Sequence, residues 1–567
     1  MSGSPSPTES TAHSEDFSVI STQEEGSTCS ATTFVVHEET PDGQRVSSKP
    51  SERDNEDATP EERLTSLPTS WMIREVLDTI FSFLVPPYGA LAEAALQGKP
   101  YNPSGDRATL LSAALTCRTI SEAAQTALWN TMDSFAPIIP LLPLMKVDNK
   151  YKFSDDSVHD SRPLEYPLSR IRKFIFDKTE GFMSNFAVQM AFGSIAPILF
   201  PNLSQLIIPK FGDGLSPEQR VFLPCLLASP LRDVVVGDIH HSETFEAFTS
   251  VLALRAQDTL QSISCSWDHL PRAITTLTSL HTVVLTGSLT NQNSIITDLS
   301  KCTSLRRLEL FLSQDIPGIF LPLPTAPFFP ELEDLTVAGD MLGAWRLMKS
   351  LTTCHLQTLR FRPKNWSHKF GQLLECLLYP LVDRPYIKHG QRSLAVLEIT
   401  YSCTTSVAKG YTLDDEAYHK FLKGLSVLSL VSLELSLPVP LPSTISLEYI
   451  TSCFPNLHTL YLDQYQRAMA PTFDDLHFLA RNAPKLRHLG TRIRTKPINA
   501  SPRASSHFLE TLCVYDSSVE DVWYVTEQLD QSFPYLRKIT TTSTTCEAGW
   551  KEVEKFLGLC QRSRRRF

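Results

Sequence analysis

A six-residue pattern, apolar-x-x-apolar-x-apolar, recurs along most of this chain and constrains the fold more than any other feature. It reads IRKFIF at 171, LSQLII at 203, LRDVVV at 231, LQSISC at 260, LHTVVL at 280, LRRLEL at 305 and LEDLTV at 332. It continues as LQTLRF at 356, LAVLEI at 394, LVSLEL at 430, LHTLYL at 457, LRHLGT at 486, LETLCV at 509 and LRKITT at 536. On a helix the fourth and sixth positions lie off a single stripe, whereas on a strand they point to one face. Several units share a lead-in (FPNL twice, FPEL, APKL, FPYL, SPL). Its proline closes the preceding segment and sets the chain extended. Helix-like stretches at 446–454 and 472–483 separate the hexamers. Each unit therefore reads as a strand followed by a return segment. Strands joined by such crossovers run parallel, and stacked units form a solenoid with one long parallel sheet.

Successive units begin mostly 20 to 32 residues apart, with two gaps of 38 and 36 between 356 and 430. That spacing lies in and just beyond the period of leucine-rich repeats. The asparagine expected after the strand is absent from most units, so the repeats are degenerate. The expected architecture is α/β: a short three-helix domain followed by a curved solenoid whose parallel sheet lines the concave side. Residues 1–62 are rich in Ser, Thr, Glu and Asp and read as a disordered acidic tail with Ser/Thr-Pro sites. Residues 64–134 read as a helical domain, 135–164 as a linker, 165–545 as the repeats, and 546–567 as a capping helix with a basic tail. In the last segment Trp550, Val553, Phe556, Leu557 and Cys560 share one helical face, suited to covering the open end of a repeat stack.

The formal net charge of -10 argues against a nucleic-acid or anionic-membrane binder, and no apolar run is long enough to span a bilayer. The twelve cysteines include no C-x-x-C pair, and no signal-peptide pattern opens the sequence. Reduced, mostly buried thiols in cytoplasm or nucleus are the expectation. No phosphate-binding loop, dinucleotide fingerprint, zinc-protease helix or nucleophile elbow occurs. The nearest approach to a metal cluster is GDIHHSE, with Asp238, His240, His241 and Glu243, but adjacent histidines on a strand face opposite sides. Cys117 beside Arg118 lies on an apolar helix and reads as a structural thiol. Catalytic residues, metal ligands and cofactors are accordingly not expected.

The helical domain carries a resemblance. EVLDTIFSFL at 75–84, followed by LLSAALTCRTISEAAQTALW at 110–129, resembles the F-box, in its fungal F-box-like form. Glu75, Val76, Leu77, Ile80, Phe81 and Leu84 match its first part. Leu111, Leu115, Thr116, Cys117 and Arg118 match the second, and Ala124, Leu128 and Trp129 the third. The family's proline falls early here, at Pro68, displaced by TSWMI. An F-box followed by leucine-rich repeats is similar in layout to the substrate receptors of Skp-cullin-F-box ubiquitin ligases. The resemblance implies a Skp-type adaptor as partner, and through it a cullin scaffold. Leu77, Ile80, Phe81, Leu84, Leu111 and Leu115 would meet the adaptor. A target protein would bind the repeats, where strand alternation turns Arg360, Arg362, Tyr461, Asp463, His488, Arg492 and Tyr515 toward the groove. The rival expectation is a leucine-rich-repeat interaction scaffold that joins no ligase. Neither involves nucleic acid or a membrane.

Overall fold

The computed structural model describes residues 69–85, most of 104–153, 166–176, most of 200–312, 329–363 and 394–463, and 470–565 apart from 497–506. The acidic tail expected over 1–62 lies outside these residues, as do Cys117, Asp238, His240 and His241.

Three helices come first: α1 (Thr69–Ser82), α2 (Ser104–Thr116) and α3 (Arg118–Asn130). Phe81, Leu110, Ala114, Ala123 and Ala124 form their common core, flanked by Leu77, Leu84, Ile120, Ala127 and Leu128. Helix α3 runs directly into β1 (Thr131–Met132), a strand that the sequence pattern does not announce. Within the expected linker stand two antiparallel strands, β2 (Leu144–Val147) and β3 (Lys150–Phe153).

Each of the fourteen hexamers then supplies one strand. These are β4 (Lys173–Ile175), β5 (Gln205–Ile208), β6 (Asp233–Val236), β7 (Ser262–Cys265), β8 (Thr282–Leu289), β9 (Arg307–Leu312) and β10 (Asp334–Gly339). They continue as β11 (Thr358–Pro363), β12 (Val396–Thr400), β13 (Ser432–Ser436), β14 (Thr459–Leu462), β15 (His488–Thr491), β16 (Thr511–Val514) and β17 (Lys538–Thr541). With β1 they make one 15-stranded sheet, ordered β1, then β4 through β17, every pair parallel. This is a leucine-rich-repeat solenoid. The opening residue of every hexamer, from Ile171 to Leu536, is buried in one continuous core.

The carbonyl of the second hexamer residue accepts two successive N–H groups from the next repeat. Thus Arg306 O takes Glu333 N at 2.8 Å and Asp334 N at 2.9 Å, and Arg487 O takes Glu510 N at 2.8 Å and Thr511 N at 3.1 Å. Side chains add to these bonds between repeats: Ser279 Oγ donates to Leu260 O at 2.8 Å and Ser304 Oγ to Thr278 O at 2.7 Å. Gly339 is required at the end of β10: its φ is 102°, and a Cβ there would lie 2.0 Å from the Leu312 carbonyl oxygen.

The helices on the other side of the sheet are set by caps and apolar faces. Helix α4 spans Ser242–Ala256, α5 Gln292–Leu299 and α6 Asp415–Leu425. Helix α7 (Leu447–Cys453) is capped by Ser446, and α8 (Phe473–Asn482) opens on a capping box between Thr472 and Asp475. Helix α9 (Val522–Ser532) is capped by Asp521. The last helix, α10 (Glu547–Arg565), closes the stack. Trp550, Val553 and Leu557 are buried there, and the indole Nε1 donates to Ser517 O at 2.6 Å. Phe556 and Cys560, expected on the same face, are only partly buried. Phe556 instead packs on Trp523, with ring centroids 4.3 Å apart. Ile539 N donates to Glu554 Oε1 at 3.0 Å, so a side chain of α10 reaches the edge of β17. Covering that edge removes a template for pairing with another chain.

The first edge is held as firmly. Arg172 N donates to Asn130 O at 3.1 Å, which ties α3 to the repeats. The Arg170 guanidinium donates to Glu122 O at 3.0 Å and to Thr126 Oγ1 at 2.8 Å, both on α3, and bonds the Tyr166 hydroxyl. Arg107 on α2 pairs with Asp133 at 2.7 Å, just past β1.

Candidate functional site

The side chains between the core positions form the open face of the sheet, and their character changes along it. On the first repeats one row of this face is apolar and closed to solvent, with Ile175, Ile207 and Val235 buried outside the main core. The row before it carries Lys173, Gln205 and Asp233, and Gln205 Nε2 donates to Asp233 Oδ2 at 3.0 Å. From β9 onward both rows carry charge.

Arg307, Asp334, Arg360 and Glu398 form a ladder across four strands. Arg360 donates to both Asp334 oxygens at 3.0 Å, and its Nε lies 3.0 Å from Glu398 Oε2. Arg307 stands 3.9 Å from both Asp334 and Glu309. Burial lowers the Arg360 pKa, but Asp334 and Glu398 outweigh it and hold the pKa above the ordinary value. Arg360, expected to meet a target, is therefore already committed to two carboxylates. Arg362 is exposed at the far end of the same strand and acts on Glu434 at longer range.

Further along, four of the expected residues converge. Tyr461 sits in register with Glu434 on one side and Gly490 on the other. A Cβ on Gly490 would lie 2.0 Å from Tyr461 Cδ1, so the ring lies across the glycine. Asp463, Arg492 and Tyr515 each follow the last residue of their strands, and Arg492 Nε is 3.7 Å from Asp463 Oδ1. Cys513 completes the group. Burial pushes its pKa up, opposed by Thr540 and Tyr515 and reinforced by Asp463 and Glu434. Burial also raises the Tyr515 pKa, reinforced by Cys513, Glu434, Asp463 and Tyr461. Asp463 is raised by burial, against the pull of Arg492. Glu434 is raised by burial and by Glu398, with Arg362 opposing. His488 stands in a different row, level with Thr459 and Thr511.

Sequence reasoning singled out arginines and tyrosines and passed over Glu434, Gly490 and Cys513. Glu434 was accessible to it, because the hexamer LVSLEL puts this residue at the same outward position as Tyr461 in LHTLYL.

The helical unit presents a second candidate surface, and it divides the six residues expected there. Phe81 is 7% exposed and belongs to the helical core, with Leu77 and Leu84 packed partly against it. Ile80, Leu111 and Leu115 are 51%, 51% and 79% exposed. Val76 extends the apolar stripe of α1 at helical spacing from Ile80, and Phe83, exposed in the turn just past the helix, continues it.

Among the described residues no group of His, Cys, Asp or Glu is arranged to hold a metal ion, and no helix is long and apolar enough to cross a membrane. Cys265 and Cys302 are pushed by burial up to about 12 and about 11, so neither is a ready nucleophile.

No family model matches the chain, and no curated protein does. Solved structures do. An internalin of Listeria monocytogenes is 12% identical, over 67% of this chain and 89% of its own, with a TM-score of 0.30. A leucine-rich-repeat protein of Leptospira interrogans is 13% identical, over 66% of this chain and 90% of its own, with a TM-score of 0.29. The protein of a TLR13–ssRNA13 complex is 13% identical, over 66% of this chain and 52% of its own, with a TM-score of 0.33.

Proposed function

We propose that the chain is the substrate-recognition subunit of an Skp-cullin-F-box type ubiquitin ligase, non-catalytic itself. The helical unit holds a Skp-type adaptor, and the open face of the repeats holds a target protein. The observation that carries this reading is the solvent-facing apolar surface on α1, the turn just past it and α2: Val76, Ile80, Phe83, Leu111 and Leu115. Large apolar side chains left exposed on small amphipathic helices are the material of a helix-in-groove contact. An interface of roughly 1,600 Å² is the expected size.

The test is co-purification of the full chain with the Skp-type adaptor of the source organism. A complex is expected with the unmodified protein, lost in Ile80→Asp and Leu115→Asp, both exposed and therefore compatible with folding. A folded chain that captures no adaptor would leave an interaction scaffold outside any ligase. The degenerate, partner-rich surface of the repeats supports that second reading equally well without the helical contact.

A further inference from the structure

The face around β13–β16 carries an imbalance that defines its occupant. Glu398 is neutralised by Arg360, and Asp463 by Arg492. Glu434, half-buried between them, makes no hydrogen bond or ion pair among the described residues; Arg362 acts on it only at longer range. Its neighbour in register on β12 is Glu398 and on β14 is Tyr461. The Tyr461 ring leans over Gly490, away from β13, so it does not cover the carboxylate. Beyond the ring stand Tyr515 and Asp463, whose carboxylate also feels Asp516.

Three kinds of segment can be compared here. An acidic one meets the carboxylates of Glu434 and Asp463, the first without a close partner among the described residues. An apolar one completes the burial of Glu434 and leaves the carboxylate without a partner, which is unfavourable. A cationic side chain meets a carboxylate that lacks a close partner and, beside it, an aromatic face suited to a cation. We propose that this face binds a basic segment of a target protein, with a lysine or arginine side chain seated between Glu434 and the Tyr461 ring. The inference rests on the reading of the open face as the target site and is independent of the adaptor.

The experiment is fluorescence anisotropy of labelled hexalysine and hexaglutamate peptides with the full chain at near-physiological salt. Hexalysine binds and hexaglutamate does not. Glu434→Gln, isosteric and uncharged, weakens hexalysine binding about tenfold, the scale of one charge-assisted contact. Tyr461→Leu weakens it severalfold. Glu552→Gln, on the exposed side of α10, leaves it unchanged. Absence of hexalysine binding overturns the proposal. So does equal weakening by Glu434→Gln and Glu552→Gln, which would mark diffuse attraction to a chain of net charge -10. Adaptor capture is measured in parallel on Glu434→Gln. Failure there with the unmodified chain, alongside site-specific hexalysine binding, separates the ligase reading from this one.

Discussion

His507 offers a direct test of how the last repeats are held together. The ring is 4% exposed and opens the turn before β16. Its Nε2 donates to Ala483 O at 2.7 Å, and its Nδ1 accepts from Leu509 N at 3.1 Å. These two contacts require the neutral tautomer with the proton on Nε2. A second proton on Nδ1 would face the Leu509 N–H and break the contact. Burial, opposed by the bond to Ala483 and aided by Arg487, places the folded-state pKa below the ordinary value of 6.5. The unfolded chain therefore binds the proton more readily than the folded one. The stabilisation is complete above about pH 6.5 and is lost as pH falls through the folded-state value. Between pH 7.5 and 5.5 the loss reaches at most about 1.4 kcal/mol. Urea unfolding of the full chain, followed by circular dichroism across this range, should show that dependence. His507→Gln keeps a neutral donor for Ala483 O and should lose most of it, while being less stable at neutral pH. Parallel pH profiles for the two proteins would refute the tautomer argument; the comparison with His507→Gln is what isolates it, because the raised carboxylates Glu434 and Asp463 act in the opposite direction in both proteins.

Three further outcomes follow from burial and backbone geometry. Phe81→Asp should unfold the helical unit by placing a charge in its core, whereas Ile80→Asp leaves the helical signal and melting midpoint within about a degree. Gly339→Ala should cost about 1–2 kcal/mol from the positive φ alone and more from the collision with Leu312 O, seen as a lowered urea midpoint. Trp550→Ala should cost about 3–5 kcal/mol and make the α10 and β17 amides exchange first in hydrogen-exchange experiments, because both the indole packing and its bond to Ser517 O are lost.

The repeats were legible because their signal is local and repeated. The fourteen hexamers each became a strand, and the leading residue of each became core. The proline lead-ins and the helix over 472–483 were readable for the same reason, since caps such as Thr472 and Asp475 lie three residues apart. Strand β1 was not readable. It is two residues long, and its existence depends on β4, some forty positions away. The division of the helical surface also escaped the sequence. Leu77, Ile80, Phe81 and Leu84 look alike in a periodicity argument, and only the position of α3 decides that Phe81 turns inward while Ile80 remains in solvent. Strand alternation puts Tyr461, Asp463, Arg492 and Tyr515 on one face of the sheet without showing which charges are already paired. Pairing runs across strands, and Arg360 meets Asp334 and Glu398 from repeats 26 and 38 residues away along the chain.

The joint at β1 also bears on the proposed receptor function, under which its geometry would matter. Were the helical unit tethered by a flexible linker, the effective concentration of a bound target near an adaptor-held enzyme would be set by linker statistics and would fall with length. Here α3 passes into the first strand of the sheet, and Arg170 and Arg107 each bridge the helices to residues beyond them. Glu434 on β13 lies nine strand steps from β4 and Tyr461 on β14 ten, about 43–48 Å of sheet at the usual strand spacing. Every step is a hydrogen-bonded pair over one continuous core. The position of a bound target relative to the helical unit is therefore fixed by repeat number rather than by chain entropy. Inserting or deleting one repeat between β4 and β13 would move the target by about 5 Å and leave both binding surfaces intact. Under the proposed ligase function, repeat number would be a specificity element as much as the side chains are, because it would decide which lysines of a target come within reach.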